Sequence, residues 1–213
     1  MNYKVINKDT YYRKGAYENF TKGAKCSVSI TARIDVTRLI EQSKKTNTKF
    51  YINFLYILCK VLNSRDDYKM SYIWETDELV VYDKINPKHY VFLDDQEICT
   101  PVFTEYNANY DIFYQNIIKD TEEAKKKGIY ENNEATHSNW FDASYIPWFS
   151  CDSIHLELPD GYLYYPPIIT WSKYCKENDI FRMPVTVRMN HAVADGYLIS
   201  LIFSKLKEEI KNF

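Results

Sequence analysis

The chain is short of glycine. Only five occur in 213 residues, none in a G-x-G-x-x-G or Walker spacing, so a Rossmann or P-loop nucleotide site is not supported. Cysteine is equally sparse. Cys26, Cys59, Cys99, Cys151 and Cys175 are odd in number and form no C-x-x-C pair. That pattern argues against a disulfide framework or a zinc site and for a reducing, cytoplasmic setting. Long apolar runs are missing. The longest strongly apolar one, Phe54 to Cys59, is far too short to cross a bilayer. The N-terminal MNYKVINKDT lacks the apolar segment of a signal peptide, so no membrane partner is expected. Nor is there an excess of charge: the net value is -2. The one basic run, Lys125 to Lys127, follows Glu122 and Glu123, the profile of a solvated helix face, so no nucleic-acid partner is expected. Internal repeats are absent, and without a hexapeptide period a left-handed β-helix is excluded.

What remains is the balance of a folded globular chain. Hydrophobic residues make up 46% and charged residues 26%, and the length suits one domain spanning 1–213. Twenty tyrosines hint at wet pockets or subunit interfaces, because each ring joins apolar area to a hydrogen-bonding tip. The periodicities are mixed. Ser27 to Ile34 alternates as a strand. Val36 to Lys44 and Ile52 to Leu62 read as helices, the second apolar on most sides. "MSYIWETDELVVYD" reads as two strands around a tight turn, and His89 to Leu93 as another strand. Tyr110 to Lys127 is amphipathic and stopped by Gly128. Gly128 to Trp140 reads as a loop. Ser153 to Leu158, Ile168 to Tyr174 and Ile180 to Met189 read as strands, the last two joined through Lys-Glu-Asn-Asp. A helix from Tyr197 closes the chain. Strands with intervening helices, without strict βαβ alternation, imply an α+β two-layer sandwich in which a mixed sheet packs against helices.

The chemistry-bearing candidate is His191 in "MNHAVADGYL". Met183, Val185, Val187 and Met189 alternate with polar neighbours up to this point, and a helix follows Gly196. His191 thus sits at a strand–helix junction, where rigid scaffolds present reactive groups. A neutral imidazole there accepts a proton near pH 7, with a backbone carbonyl to fix its tautomer. The plain alternative is a core histidine beside a helix cap. Asp195 has two readings, a helix cap or a partner for an arginine. His89, His137 and His155 have no partners at metal-ligand spacing, so no metal is expected. Ser144, in "ASYIPW", reads by itself as a polar turn residue.

Taken together, several segments carry a resemblance. "HAVADG" with its amphipathic helix resembles the HHxxxDG signature of CoA-dependent acyltransferases. "YYRKGAY" at 11–17, "KFYINFLYIL" at 49–58, "DELVVYDKINPKHYVF" at 77–92 (as a central hairpin), "ASYIPW" at 143–148 and "PIITWSKY" at 167–174 resemble, in order, segments of the chloramphenicol acetyltransferase family. The resemblance implies a homotrimer with an active site at each subunit interface, and direct transfer from acetyl-CoA to a hydroxyl of chloramphenicol, inactivating the antibiotic. It implies His191 as general base, Ser144 as hydrogen-bond donor to the oxyanion and Thr170 as holder of a water. Asp195 pairs with Arg13 to brace the loop. Phe20, Cys26, Cys99, Leu156 and Ile168 fall at acceptor-contacting positions, and Trp148 and Tyr174 at CoA-contacting ones. Four departures stand out, the first being Ala194 in place of the usual motif cysteine. Asn190 replaces the first motif histidine, while Asn19 and Cys99 replace phenylalanines common in the family, which opens the alternative of another hydroxylated acceptor. A non-catalytic ligand-binding trimer is the remaining alternative.

Overall fold

The computed structural model describes residues 2–158 and 164–213. The elements run β1 (Tyr3–Val5), α1 (Lys14–Glu18), β2 (Ser27–Asp35), α2 (Thr37–Lys45), α3 (Phe50–Asn63), β3 (Met70–Ile73), β4 (Glu78–Tyr82) and β5 (Asn86–Leu93). They continue with β6 (Ile98–Phe103), α4 (Tyr110–Lys127), β7 (Trp140–Ile146), β8 (Ile168–Ser172), β9 (Cys175–Glu177), β10 (Ile180–Asn190) and α5 (Gly196–Asn212). A seven-stranded sheet has the order β2-β10-β8-β7-β5-β6, with the short β9 also on β10. Its pairs are antiparallel except β5–β7 and β7–β8. This is the α+β layering expected, with one addition: β1, β4 and β3 form a separate antiparallel sheet.

The period of two on each strand decides what packs where. Ile34, Val185, Val187, Met189, Ile169, Trp171, Phe141 and Ala143 share one core with α2, α3, α4 and α5. Helix α3 is central because Ile52, Phe54, Leu55, Ile57, Leu58, Val61 and Leu62 bury it on most sides. Each such side chain contributes about 1.5–3 kcal/mol on burial. The opposite face carries the alternate residues: Lys88, Asp142, Ser144, Ile168, Thr170, Thr186 and Arg188. None belongs to a described hydrophobic cluster. Described residues on either side of 159–163 reach it instead. Cys151 N–H donates to Ser172 Oγ, Asp152 pairs with Arg33, and Tyr164 donates to Asp142.

Three local expectations are corrected. Ser153–Leu158 alternates in sequence but forms no strand, and Leu156 is half exposed. Alternation specifies a strand only where a sheet edge receives it. Ser144 lies not in a turn but on β7, paired between β5 and β8. The 77–92 stretch is not a hairpin, since β4 and β5 belong to different sheets. The Asn63 side chain holds the corner between them, accepting from Ile85 N–H at 2.9 Å and donating to Ile85 C=O at 2.9 Å. The expected tight link before β10 is present: Asn178 and Asp179 both take positive φ, 47° and 67°, the mirror-image turn that fits strand twist.

Candidate active site

His191 follows the last residue of β10 and is fixed from three directions. Its backbone N–H donates to Cys26 C=O at 3.1 Å. Its ring stacks on Phe20, with centroids 3.7 Å apart and planes at 8°. Phe20 sits in a π-helical turn, Asn19–Gly23, that directly continues α1. Asn190, itself fully buried, turns the chain with its side chain: Oδ1 accepts from Ala192 N–H at 2.9 Å. The residue that departs from the motif is therefore part of what shapes the loop. The expected carbonyl partner for the imidazole is not found. His191 Nδ1 is enclosed without a hydrogen-bond partner, and stacking on Phe20 orients the ring instead.

Asp195 meets both of its readings at once. Oδ1 accepts from Leu198 N–H at 3.1 Å and caps α5, while Oδ2 takes Arg13 Nη2 at 2.8 Å. Burial pushes this carboxyl up, but the hydrogen bonds from Arg13 and the helix amides outweigh it and hold its pKa below the ordinary value. An Asp195→Ala variant loses the cap as well as the pair. With a cap worth about 1 kcal/mol, a Tm lower by at least about 2–4 °C is expected by calorimetry in a chain of this size.

Ser144 and Thr170 face each other across β7 and β8. The row continues to Thr186 on β10 and Thr31 on β2, whose hydroxyls lie 2.8 Å apart. Four hydroxyls thus cross the sheet side by side. Ile168 shares their face. So does Cys99, opposite Phe92 on β5, while Trp148 packs edge-on against Phe92 at 5.4 Å. Trp148 and Tyr174 follow the C-terminal ends of the parallel strands β7 and β8. Trp148 is well exposed, and Tyr174 is half-buried against Phe50 and Phe181.

Within one chain these two groups stay apart. His191 lies five residues along β10 from Thr186, the strand neighbour of Thr170. At about 3.3 Å per residue and 4.8 Å between strands, His191 is about 17 Å from Thr170 and about 19 Å from Ser144. Phe20 and Cys26 accompany His191; Cys99 and Ile168 accompany Ser144; Leu156 lies past β7 outside any strand.

Sequence reasoning passed over a charged cluster on the Ser144 face. Asp142, two residues before Ser144, is buried with Lys88. Lys88 Nζ lies 2.5 Å from Asp142 and 2.5 Å from Glu134. Tyr90 donates to Asp142 at 3.0 Å, and Tyr164 donates to its other oxygen. The signal was there: every second residue on β5 and β7 is polar in the middle of the strand. Among the described residues no group of three or more His, Cys, Asp or Glu converges as a metal site. No helix among them is long and apolar enough to cross a membrane.

A family model described as chloramphenicol acetyltransferase matches residues 1–207. The chain belongs to the chloramphenicol acetyltransferase family. A Staphylococcus aureus member is 30% identical over 212 residues, covering 100% of this chain and 98% of that one. Chloramphenicol acetyltransferase 3 of Escherichia coli is 29% identical, covering 98% and 97%. A solved chloramphenicol acetyltransferase structure superposes with a TM-score of 0.83 at 18% identity, over 98% of this chain and 100% of that one. A probable dihydrolipoamide acetyltransferase from Listeria monocytogenes shares the fold at a TM-score of 0.63 and 11% identity, over 97% and 93%. As a member of this family the protein is an acyltransferase.

Proposed function

We propose that this acyltransferase moves an acetyl group from acetyl-CoA to a hydroxyl of chloramphenicol, at sites built between copies of a homotrimer. One observation carries the reading. His191 lies about 19 Å from Ser144 and about 17 Å from Thr170 along one sheet, too far to act on one acceptor, while no helix among the described residues packs on the hydroxyl face. A second copy that presents its His191 to this face completes the set. The family's name supplies the acceptor.

In the completed site His191 takes the acceptor's hydroxyl proton as the oxygen bonds to the thioester carbonyl carbon. The carbonyl oxygen gains negative charge, and Ser144 donates a hydrogen bond to it; a donor of this kind is worth about 3–4 kcal/mol in the transition state. Thr170, its strand neighbour, holds a water at the same place. The carbon–sulfur bond then breaks, and the sulfur leaves with the proton returned from His191. Arg13 and Asp195 brace the loop without touching the reacting atoms. Past the ends of β7 and β8, Trp148 against Phe92 on the Ser144 face and Tyr174 against Phe50 on the helix side offer aromatic surface to CoA. All five cysteines are free thiols, which suits work in the cytoplasm.

The test is thiol release from acetyl-CoA by the purified chain with chloramphenicol, together with its gel-filtration mass. Acetyl transfer by a species of three chain masses is expected. No release with chloramphenicol or any other alcohol would remove the enzyme reading. One specific observation favours a second acceptor class: the Lys88–Asp142 pair puts formal charge beside Ser144, where a neutral aromatic drug gains nothing from it.

A further inference from the structure

The sheet face that carries Ser144 and Thr170 holds one cation with no ion-pair partner among the described residues. Arg188 lies on β10 two residues beyond Thr186, so its side chain leaves the sheet on the same side. The register sets it beside Ile168 on β8 and Ser29 on β2. It is 7% exposed. The neighbouring cations, by contrast, each have carboxylate partners. Lys88 holds Asp142 and Glu134, and Arg33 holds Asp152 and Glu177. Asp142, the nearest carboxylate in the row, is occupied by Lys88, Tyr90 and Tyr164. Arg188 makes no hydrogen bond or ion pair of its own with any described residue.

A guanidinium carries five donors and stays protonated at neutral pH. Burial presses its pKa down from the ordinary value, while Tyr164 and Asp142 act weakly the other way. Its guanidinium nitrogens are not among the fully enclosed unpartnered atoms, so they reach the surface of this face, where an anion supplies the charge-assisted contact that a largely buried cation otherwise lacks. The position suits a ligand: Arg188 is about 7 Å along the strand from the Thr186–Thr170 row. That is the span of a small molecule whose hydroxyl sits at Ser144 and Thr170. The planar fork fits a carboxylate in a two-point contact, which a single ammonium does not reproduce.

We infer that Arg188 is the anion-binding residue of the acceptor pocket, and that the enzyme also acetylates hydroxylated acceptors bearing a carboxylate. The inference rests on reading this face as half of the acceptor site. A carboxylate from a second copy of the chain is the competing occupant, and the experiment separates the two.

The probes are 4-(hydroxymethyl)benzoate and its neutral twin 4-(hydroxymethyl)benzamide, compared by thiol release from acetyl-CoA and by calorimetric binding. The wild-type protein is expected to favour the benzoate by about tenfold or more in kcat/KM and in Kd, the equivalent of about 1.4 kcal/mol. Arg188→Gln is expected to remove that preference, bringing the benzoate-to-benzamide ratio in both kcat/KM and Kd to about one. Arg188→Lys keeps the charge without the fork and should retain part of the preference; it also carries the test should the glutamine variant not fold. Equal use of both probes by the wild type overturns the inference. So does a glutamine variant that keeps the preference, or one that loses its oligomeric mass with the preference intact, which assigns Arg188 to a subunit contact. If no alcohol is acetylated, the proposed function fails, while the binding ratio still decides the anion site.

Discussion

Replacing His191 by alanine is expected to lower acetyl transfer by about 10²–10⁴-fold, the usual worth of a positioned general base, with the circular dichroism spectrum unchanged. Ser144→Ala is expected to cost about 10²–10³-fold through the lost oxyanion donor. The decisive result comes from mixing the two inactive proteins. If each site takes His191 from one copy and Ser144 from the next, a randomly reassembled trimer contains some sites with both residues intact. In a head-to-tail ring of three, about one quarter of the sites in an equal mixture have a native histidine facing a native serine. Activity should therefore return to roughly a quarter of wild type after joint unfolding and refolding. A mixture no more active than its separate components would place the whole site within one chain, against the separation of about 19 Å along the sheet.

Mild acid should unfold this protein early, and one residue should account for much of it. His89 on β5 is fully buried, and burial lowers its pKa from 6.5 to about 4. Its partners fix its tautomer. Thr104 spends its only proton on Asp120 at 2.6 Å, so its oxygen must accept from His89 Nε2–H at 3.1 Å. Nδ1 is left enclosed and unpaired. The unfolded chain binds a proton near pH 6.5, whereas the folded one does so only near pH 4. Unfolding thus takes up a proton across that window, and stability falls as pH drops through it. Between pH 7 and pH 5 the loss from this group is about 2 kcal/mol. Asp120, raised by burial despite the Thr104 hydrogen bond, acts with the opposite sign at lower pH, so a variant is needed to isolate the histidine. His89→Gln keeps a donor toward Thr104 and cannot charge. Urea melts at pH 7 and pH 5 should differ by about 2 kcal/mol less in this variant than in the wild type. Equal pH dependence in the two would remove His89 as the cause.

The elements most readable in the sequence were those whose pattern serves packing alone. Helix α4 shows its apolar face and its Gly128 stop, and Gly128 does take positive φ at 61°. The core face of β10 is spelled by Met183, Val185, Val187 and Met189. Strand β7 was hidden for the opposite reason. Asp142 and Ser144 stand where a strand would normally show apolar alternation, because their face belongs to the candidate site. The pairing of Arg13 with Asp195 crosses 182 residues and carries no local signal; only the family resemblance joined them. The same holds for Phe20 against His191, which no periodicity links. Arg188 was visible as a polar position on a half-buried strand, but that no described residue forms an ion pair with it is a property of the folded sheet.

The two-sidedness of β10 also bears on how such a protein diversifies. Val185 and Val187 answer to the helices, while Thr186 and Arg188 answer to whatever lies on the other face. A single nucleotide change at codon 186 or 188 therefore alters the face outside the helix-side core and leaves the packing of Val185 and Val187 in place. On the proposed function, inheritance of the fold and drift of the acceptor would then be kept on separate sides of one ribbon. A library confined to those positions of β5, β7 and β10 would search new substrates while sparing the core.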